Sequence, residues 1–134
     1  NGGRGNKAYR DMHMTEMDNH VLAIESDGGV FAPVGFGFSG SAEAKNIISE
    51  IHKLLIPINA NNLSDGGRAA DIAPLNDLGV PVMSLKVDNT KYFWYHHTAA
   101  DTFDKVDFTE FSNCIAAMTI MAYVVAELPD PLPR

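Results

Sequence analysis

The apolar positions fall into two rhythms, one helical and one extended. Lys7 to about Asp18 has helical spacing, and the run His20-Val21-Leu22-Ala23-Ile24-Glu25-Ser26 reads as a buried strand. A second short strand covers Val34 to Phe38. Ser41 supplies an N-cap for an amphipathic helix to about Leu55, with Ala44, Ile47, Ile48, Ile51, Leu54 and Leu55 on its apolar face. Residues 57–69 are polar and glycine-bearing, a loop with room for one short strand. Asp71 can cap a brief helix that tolerates Pro74 in its first turn and stops at Gly79. Val80 to Val87 is the next strand. Asp107-Phe108-Thr109-Glu110 then opens, in the manner of a capping box, a helix to about Glu127 that is apolar on most sides and is expected to be buried.

Strands alternating with helices predict a single α/β layered domain over residues 1–134, with a mostly parallel central sheet flanked by helices. About three strands are visible, fewer than a parallel sheet covered on both faces usually has. The sheet is therefore expected to lack neighbours along one edge, as if truncated on its amino-terminal side. An open edge templates pairing, so self-association, or pairing with an amino-terminal part, is expected.

Composition narrows the function classes. The net charge of -7, with ten basic residues scattered rather than clustered, argues against nucleic-acid binding. No uninterrupted apolar run of about eighteen residues occurs, so no membrane span is expected. The one cysteine, Cys114, falls in the apolar pattern Phe111, Cys114, Ile115, Met118 and reads as a small buried hydrophobe. It leaves no internal disulfide and no cysteine-rich zinc site.

Three segments carry candidate chemistry. Gly35-Phe36-Gly37-Phe38-Ser39-Gly40 matches a dinucleotide pattern, but Pro33 interrupts the strand before it and no ribose-binding acid stands about twenty residues on, so it reads as a glycine-bearing strand and turn. In Ile24-Glu25-Ser26-Asp27-Gly28-Gly29, Asp27 follows a strand where an open α/β sheet places ligands, and its carboxylate suits zinc; taken alone, the Asp-Gly pair fits an Asx turn closing the strand better. Glu25 points to the other side from Ser26 and is expected to make a structural contact. In Trp94-Tyr95-His96-His97-Thr98-Ala99-Ala100-Asp101-Thr102, two imidazoles and a carboxylate could serve a metal, with the acid fixing a tautomer. Adjacent histidines in an extended segment face opposite ways, so one at most is expected to reach a given metal. The same residues also fit a histidine packed under Trp94 with Asp101 capping a turn. His13, His20 and His52 lie in or beside helices as structural or solvated groups. Ser26, Ser39 and Ser41 lack the G-x-S-x-G elbow.

Several ordered motifs together resemble metallopeptidase family twenty-eight, the co-catalytic zinc aminopeptidases and carboxypeptidases. They are Gly2-Gly3-Arg4-Gly5 with Ala8-Tyr9-Arg10-Asp11, Glu25-Ser26-Asp27-Gly28, Gly35-Phe36 with Phe38-Ser39-Gly40-Ser41, Ala70-Asp71-Ile72-Ala73-Pro74-Leu75, Gly79-Val80-Pro81, and Tyr92-Phe93-Trp94-Tyr95-His96-His97. The most specific piece is His97-x-x-x-Asp101-Thr102. The resemblance implies a zinc-peptidase α/β fold holding two zinc ions above the carboxyl ends of the sheet and acting on small peptides. It implies Asp27 as the carboxylate ligand of one zinc and His97 as the imidazole ligand of the other. Asp71 and Asp101 match supporting positions, and His96 and Tyr95 would line the substrate cleft. The family's remaining ligands, a His, a bridging Asp and a Glu-Glu pair that includes the general base, come earlier, the pair immediately before the segment matching Asn1–Gly5. The expectation is a carboxy-terminal part that holds no general base and does not hydrolyse peptides unaided. Some relatives place an oxyanion-stabilising tyrosine four residues before the position of Asp71, where this chain has Gly67. The resemblance also implies export from the cytoplasm. A non-catalytic binding or assembly module is the alternative.

Overall fold

In the computed structural model, which describes residues 2–134, four strands form one sheet: β1 (Ala23–Glu25), β2 (Pro33–Ser39), β3 (Asn62–Asp65) and β4 (Val82–Val87). Their order across the sheet is β1-β4-β2-β3. β1 pairs parallel with β4, and β2 parallel with β3, while β2 and β4 run antiparallel. The helices are α1 (Arg4–Met12), α2 (Ala42–His52), α3 (Ala73–Asn76), α4 (Tyr92–Tyr95) and α5 (Phe108–Ala126). The architecture is the expected α/β layering around a mostly parallel sheet.

Strand alternation sorts the sheet's two faces. Phe36, Phe38, Met83 and Leu85 point one way, onto Ala44, Ile48 and Ile51 of α2 and Cys114, Ala117 and Met121 of α5. Those helical residues recur every three or four positions, which keeps them on one stripe. A smaller cluster of Met17, Leu75 and Val80, with Ala23 against it, is separate from this core. Two of the three predicted caps form. Ser41 Oγ accepts from the Ala44 N–H at 3.1 Å, and the Asp107 carboxylate accepts from Thr109 and Glu110 N–H at 2.9 Å each.

Several expectations need correction. The first helix ends at Met12 and continues as a 3-10 segment over Met14–Asn19. The α2 helix likewise passes into a 3-10 segment at Lys53; three residues per turn instead of 3.6 rotates Leu54 off the apolar face, and it is 54% exposed. Asp71 caps no helix, because α3 starts after Ile72 without a side-chain cap. The first strand is shorter than predicted and only half-buried, since it lies at the sheet's edge. The last helix buries one stripe rather than most sides: Cys114, Ala117, Met121 and Val125 meet the core, whereas Phe108, Ile115 and Tyr123 are exposed. It is long and apolar enough to cross a membrane by length and composition, and its buried stripe packs as a core helix does.

The glycine pattern of residues 35–40 lies mostly within β2. A methyl on Gly35 would stand 1.9 Å from the Asn62 carbonyl oxygen, so glycine there serves close approach of β2 and β3. The chain absorbs Pro33 as the first residue of β2, with a register shift between Pro33 and Gly35.

His52 is the one buried histidine among the described residues, 3% exposed, edge-on to Phe36, with Nε2 unpartnered. Burial holds its pKa below 6.5, only partly offset by a hydrogen bond with the Asn61 backbone. The unfolded chain therefore binds the proton more readily than the folded one. His52 contributes its full stability above about pH 6.5, and the contribution is lost as pH falls from there toward the folded-state value. Urea titrations from pH 8 to pH 5 should show stability declining through that window. In His52→Phe the decline should flatten.

Candidate functional site

Parallel pairing of β1 with β4 puts the carboxyl ends of both strands on the same rim, where open α/β sheets bind ligands. Asp27 follows β1 by two residues, and α4 with the two histidines follows β4. Topology thus brings together groups 70 residues apart in sequence. Asp27, Tyr95, His96, His97 and Asp101 all line one cavity of about 300 Å³. Its walls are fastened by Phe31 stacked on Tyr95, ring centroids 6.3 Å apart, and by the Cys114 thiol donating to the Phe31 carbonyl at 3.2 Å. Burial raises the Cys114 pKa, which keeps that thiol protonated and able to donate.

The histidines do not face opposite ways. His97 has φ of 57°, left-handed rather than extended, and its ring lies 3.8 Å from that of His96 at 21°. Tyr92 stacks on His96 at 4.4 Å, so Tyr92, His96 and His97 form a continuous stack. The turn that follows is held by Thr98, whose hydroxyl donates to the Tyr95 carbonyl at 2.8 Å and accepts from the Ala100 N–H at 3.2 Å. Trp94 covers neither imidazole; it is 65% exposed. A non-glycine residue in the left-handed region costs energy unless its surroundings hold it there, and such residues cluster at functional sites.

Asp101 reaches the cavity, but no hydrogen bond joins it to either imidazole. Asp71 is not brought there; it borders a separate pocket beside α1 with Gly3, Asn6 and Tyr9. Glu25 makes the structural contact expected of it. Its Oε2 accepts from the Asp71 and Ile72 N–H groups at 2.8 and 3.1 Å, pinning that loop to β1. On the rim, Lys105 is engaged by Asp104, whose hydrogen bond raises the lysine pKa, so Asp27 and Asp101 leave the cavity negatively charged. It is suited to a cation.

The sequence profile of Peptidase family M28 matches residues 1–122. The chain belongs to peptidase family M28. It is 41% identical over 133 residues to carboxypeptidase Q of Xenopus laevis and 37% to that of Homo sapiens, matching 99% of this chain in each case. The chain spans 28% of the length of those relatives. Among solved structures, a peptidase M28 precursor from Shewanella amazonensis superposes with a TM-score of 0.89 at 29% identity, covering 99% of this chain and 30% of that one.

For an M28 chain, the donor set is partial. Asp27 and His97 offer a carboxylate and an imidazole, both donors that zinc accepts, on one anionic cavity. Among the described residues no three His, Cys, Asp or Glu side chains converge as a metal site. Gly67, the position at which the resemblance led to a tyrosine being expected in some relatives, is buried, and a methyl on it would meet the Val82 carbonyl oxygen at 2.3 Å. No side chain fits there in this conformation, a packing constraint that sequence reading missed.

Proposed function

We propose that this chain contributes Asp27 and His97 to the centre of a di-zinc exopeptidase that hydrolyses small peptides, with the other ligands and the glutamate base supplied by polypeptide outside these residues. The observation that carries it is the meeting of those two side chains on one anionic cavity at the carboxyl ends of β1 and β4. Bound zinc supplies Lewis-acid polarisation of the scissile carbonyl and lowers the pKa of water. Asp27 and His97 hold the ions, and the negative cavity attracts them. Asp101, on the same cavity, would orient a ligating imidazole by accepting a hydrogen bond from its second N–H. Tyr95 and His96 line the cleft, and an O–H or N–H from either would serve as donor to a carbonyl oxygen gaining negative charge. Asp71, away from the cavity, supports the site through the loop that Glu25 pins.

In this reading the intact protein hydrolyses dipeptides, loses that activity to a chelator, and regains it with zinc. The 134-residue chain alone stays inactive with zinc added. An intact protein that cleaves dipeptides undiminished after complete metal removal would contradict the proposal.

Pairing of the sheet edge belongs to the same proposal. β1 has one neighbour in the sheet, β4, so its outer N–H and C=O groups face away from the sheet. The chain alone is expected to self-associate, with light scattering giving a mass above the monomer that rises with concentration. A constant monomer mass from micromolar to millimolar would remove this part of the proposal.

A further inference from the structure

A second cavity of about 340 Å³ shares Asp27 and Tyr92 with the first and lies along the end of β4. Its wall carries Ser84, Lys86 and Asn89. Ser84 and Lys86 are two apart on β4 and so share a face, opposite the one that Met83 and Leu85 turn to the core. Ser84 is 6% exposed and its hydroxyl has no partner. Across the sheet, its neighbour Glu25 is already committed to the Asp71 and Ile72 N–H groups. The stem of Lys86 runs over Gly37, where a methyl would come within 2.9 Å of Cε. That places the lysine along the sheet surface. Among the described residues no ion pair includes Lys86; the same holds for Lys7 and Lys91, but of these three lysines Lys86 is the one that lines this cavity.

We propose that Lys86 is a specificity residue whose ammonium binds a carboxylate of the peptide substrate, in the cavity separated from the metal-binding one by Asp27. The inference rests on the function proposed above, because it takes Asp27 as engaged by metal and unavailable to Lys86. A cation without a protein partner, beside a wall that also turns Asn89 to the cavity, suits an anionic ligand, and an ammonium–carboxylate hydrogen bond is among the stronger polar contacts. The carboxylate has two sources, the substrate's free carboxy terminus or an acidic side chain.

The test uses the intact zinc-loaded protein with Ala-Ala, Ala-Ala-amide and Ala-Asp-amide, in wild type, Lys86→Met and Lys86→Arg. The kcat/KM preference for a carboxylate-bearing peptide over Ala-Ala-amide should fall about tenfold in Lys86→Met, mostly through KM, and recover substantially in Lys86→Arg. Loss of the Ala-Ala preference assigns Lys86 to the carboxy terminus; loss of the Ala-Asp-amide preference assigns it to the side chain. Preferences equal in wild type and Lys86→Met overturn the inference while leaving the peptidase reading intact. A calorimetric titration with N-acetylglycine against N-acetylglycinamide reads the same contact without turnover. Discrimination between those two probes that Lys86→Met abolishes supports the inference even in a protein that hydrolyses nothing, and equal discrimination in both proteins overturns it.

Discussion

In the intact zinc-loaded protein, Asp27→Ala and His97→Ala should each lower kcat/KM by roughly three orders of magnitude, about 4 kcal/mol of transition-state stabilisation. Each should also reduce bound zinc by about one ion, read by elemental analysis after gel filtration. The reason is geometric: one carboxylate and one imidazole come to the shared cavity from two adjacent parallel strands. No His, Cys, Asp or Glu trio among the described residues offers a substitute. A third variant separates function from folding. His97 stands at φ of 57°, a region that costs an L-residue about 1–2 kcal/mol and glycine little. Its side chain is exposed, so His97→Gly loses little packing. That variant should unfold no earlier than wild type, and as much as about 1 kcal/mol later, while showing the same loss of activity. A large loss of stability with retained turnover would mean that His97 is a packing residue.

Replacing Gly35 by alanine should produce the other large effect, a destabilisation of about 3 kcal/mol, concentrated in β3. The added methyl would sit 1.9 Å from a backbone oxygen of Asn62, which no rotamer can relieve. Either β3 separates from β2 or the strand bends. Hydrogen exchange should then show loss of protection in Asn62–Asp65 with little change at β1 and β4. Gly66→Ala is the control. Gly66 also has positive φ, 87°, but nothing lies within 4 Å of the added methyl, so its cost should stay near 1 kcal/mol. Equal costs for the two substitutions would show that backbone conformation, not strand contact, requires Gly35.

Elements whose signal is local were legible in the sequence. Ser41 and Asp107 act through hydrogen bonds to their own helices, and the apolar spacings of α2 and α5 are set by one period. Elements made by tertiary contact were legible in outline at most: the loop of residues 57–69 left room for a short strand but did not mark where it lies. β3 reads Asn-Leu-Ser-Asp, mostly exposed, without alternation; pairing with β2 makes it a strand. Asp71 looked like a helix cap because of its residue type, but its N–H is drawn to Glu25, 46 positions away. At the site, residue types and the family resemblance named Asp27, Tyr95, His96, His97 and Asp101, all of which line the cavity; Asp71, given a supporting position by the resemblance, borders a separate pocket. The orientation of the two histidines was illegible, since it depends on one left-handed backbone angle held by the turn around Thr98. Lys86 gave no sequence signal at all. Its lack of a partner is visible only once the strands are assembled.

The most direct measurement is an anomalous difference map, recorded at the zinc absorption edge, from crystals of the intact protein grown with zinc. Two adjacent peaks are predicted, one about 2.0–2.2 Å from an Asp27 carboxylate oxygen and the other about 2.0–2.1 Å from a His97 ring nitrogen. Peaks lying elsewhere, with Asp27 and His97 both free of metal, would contradict the account.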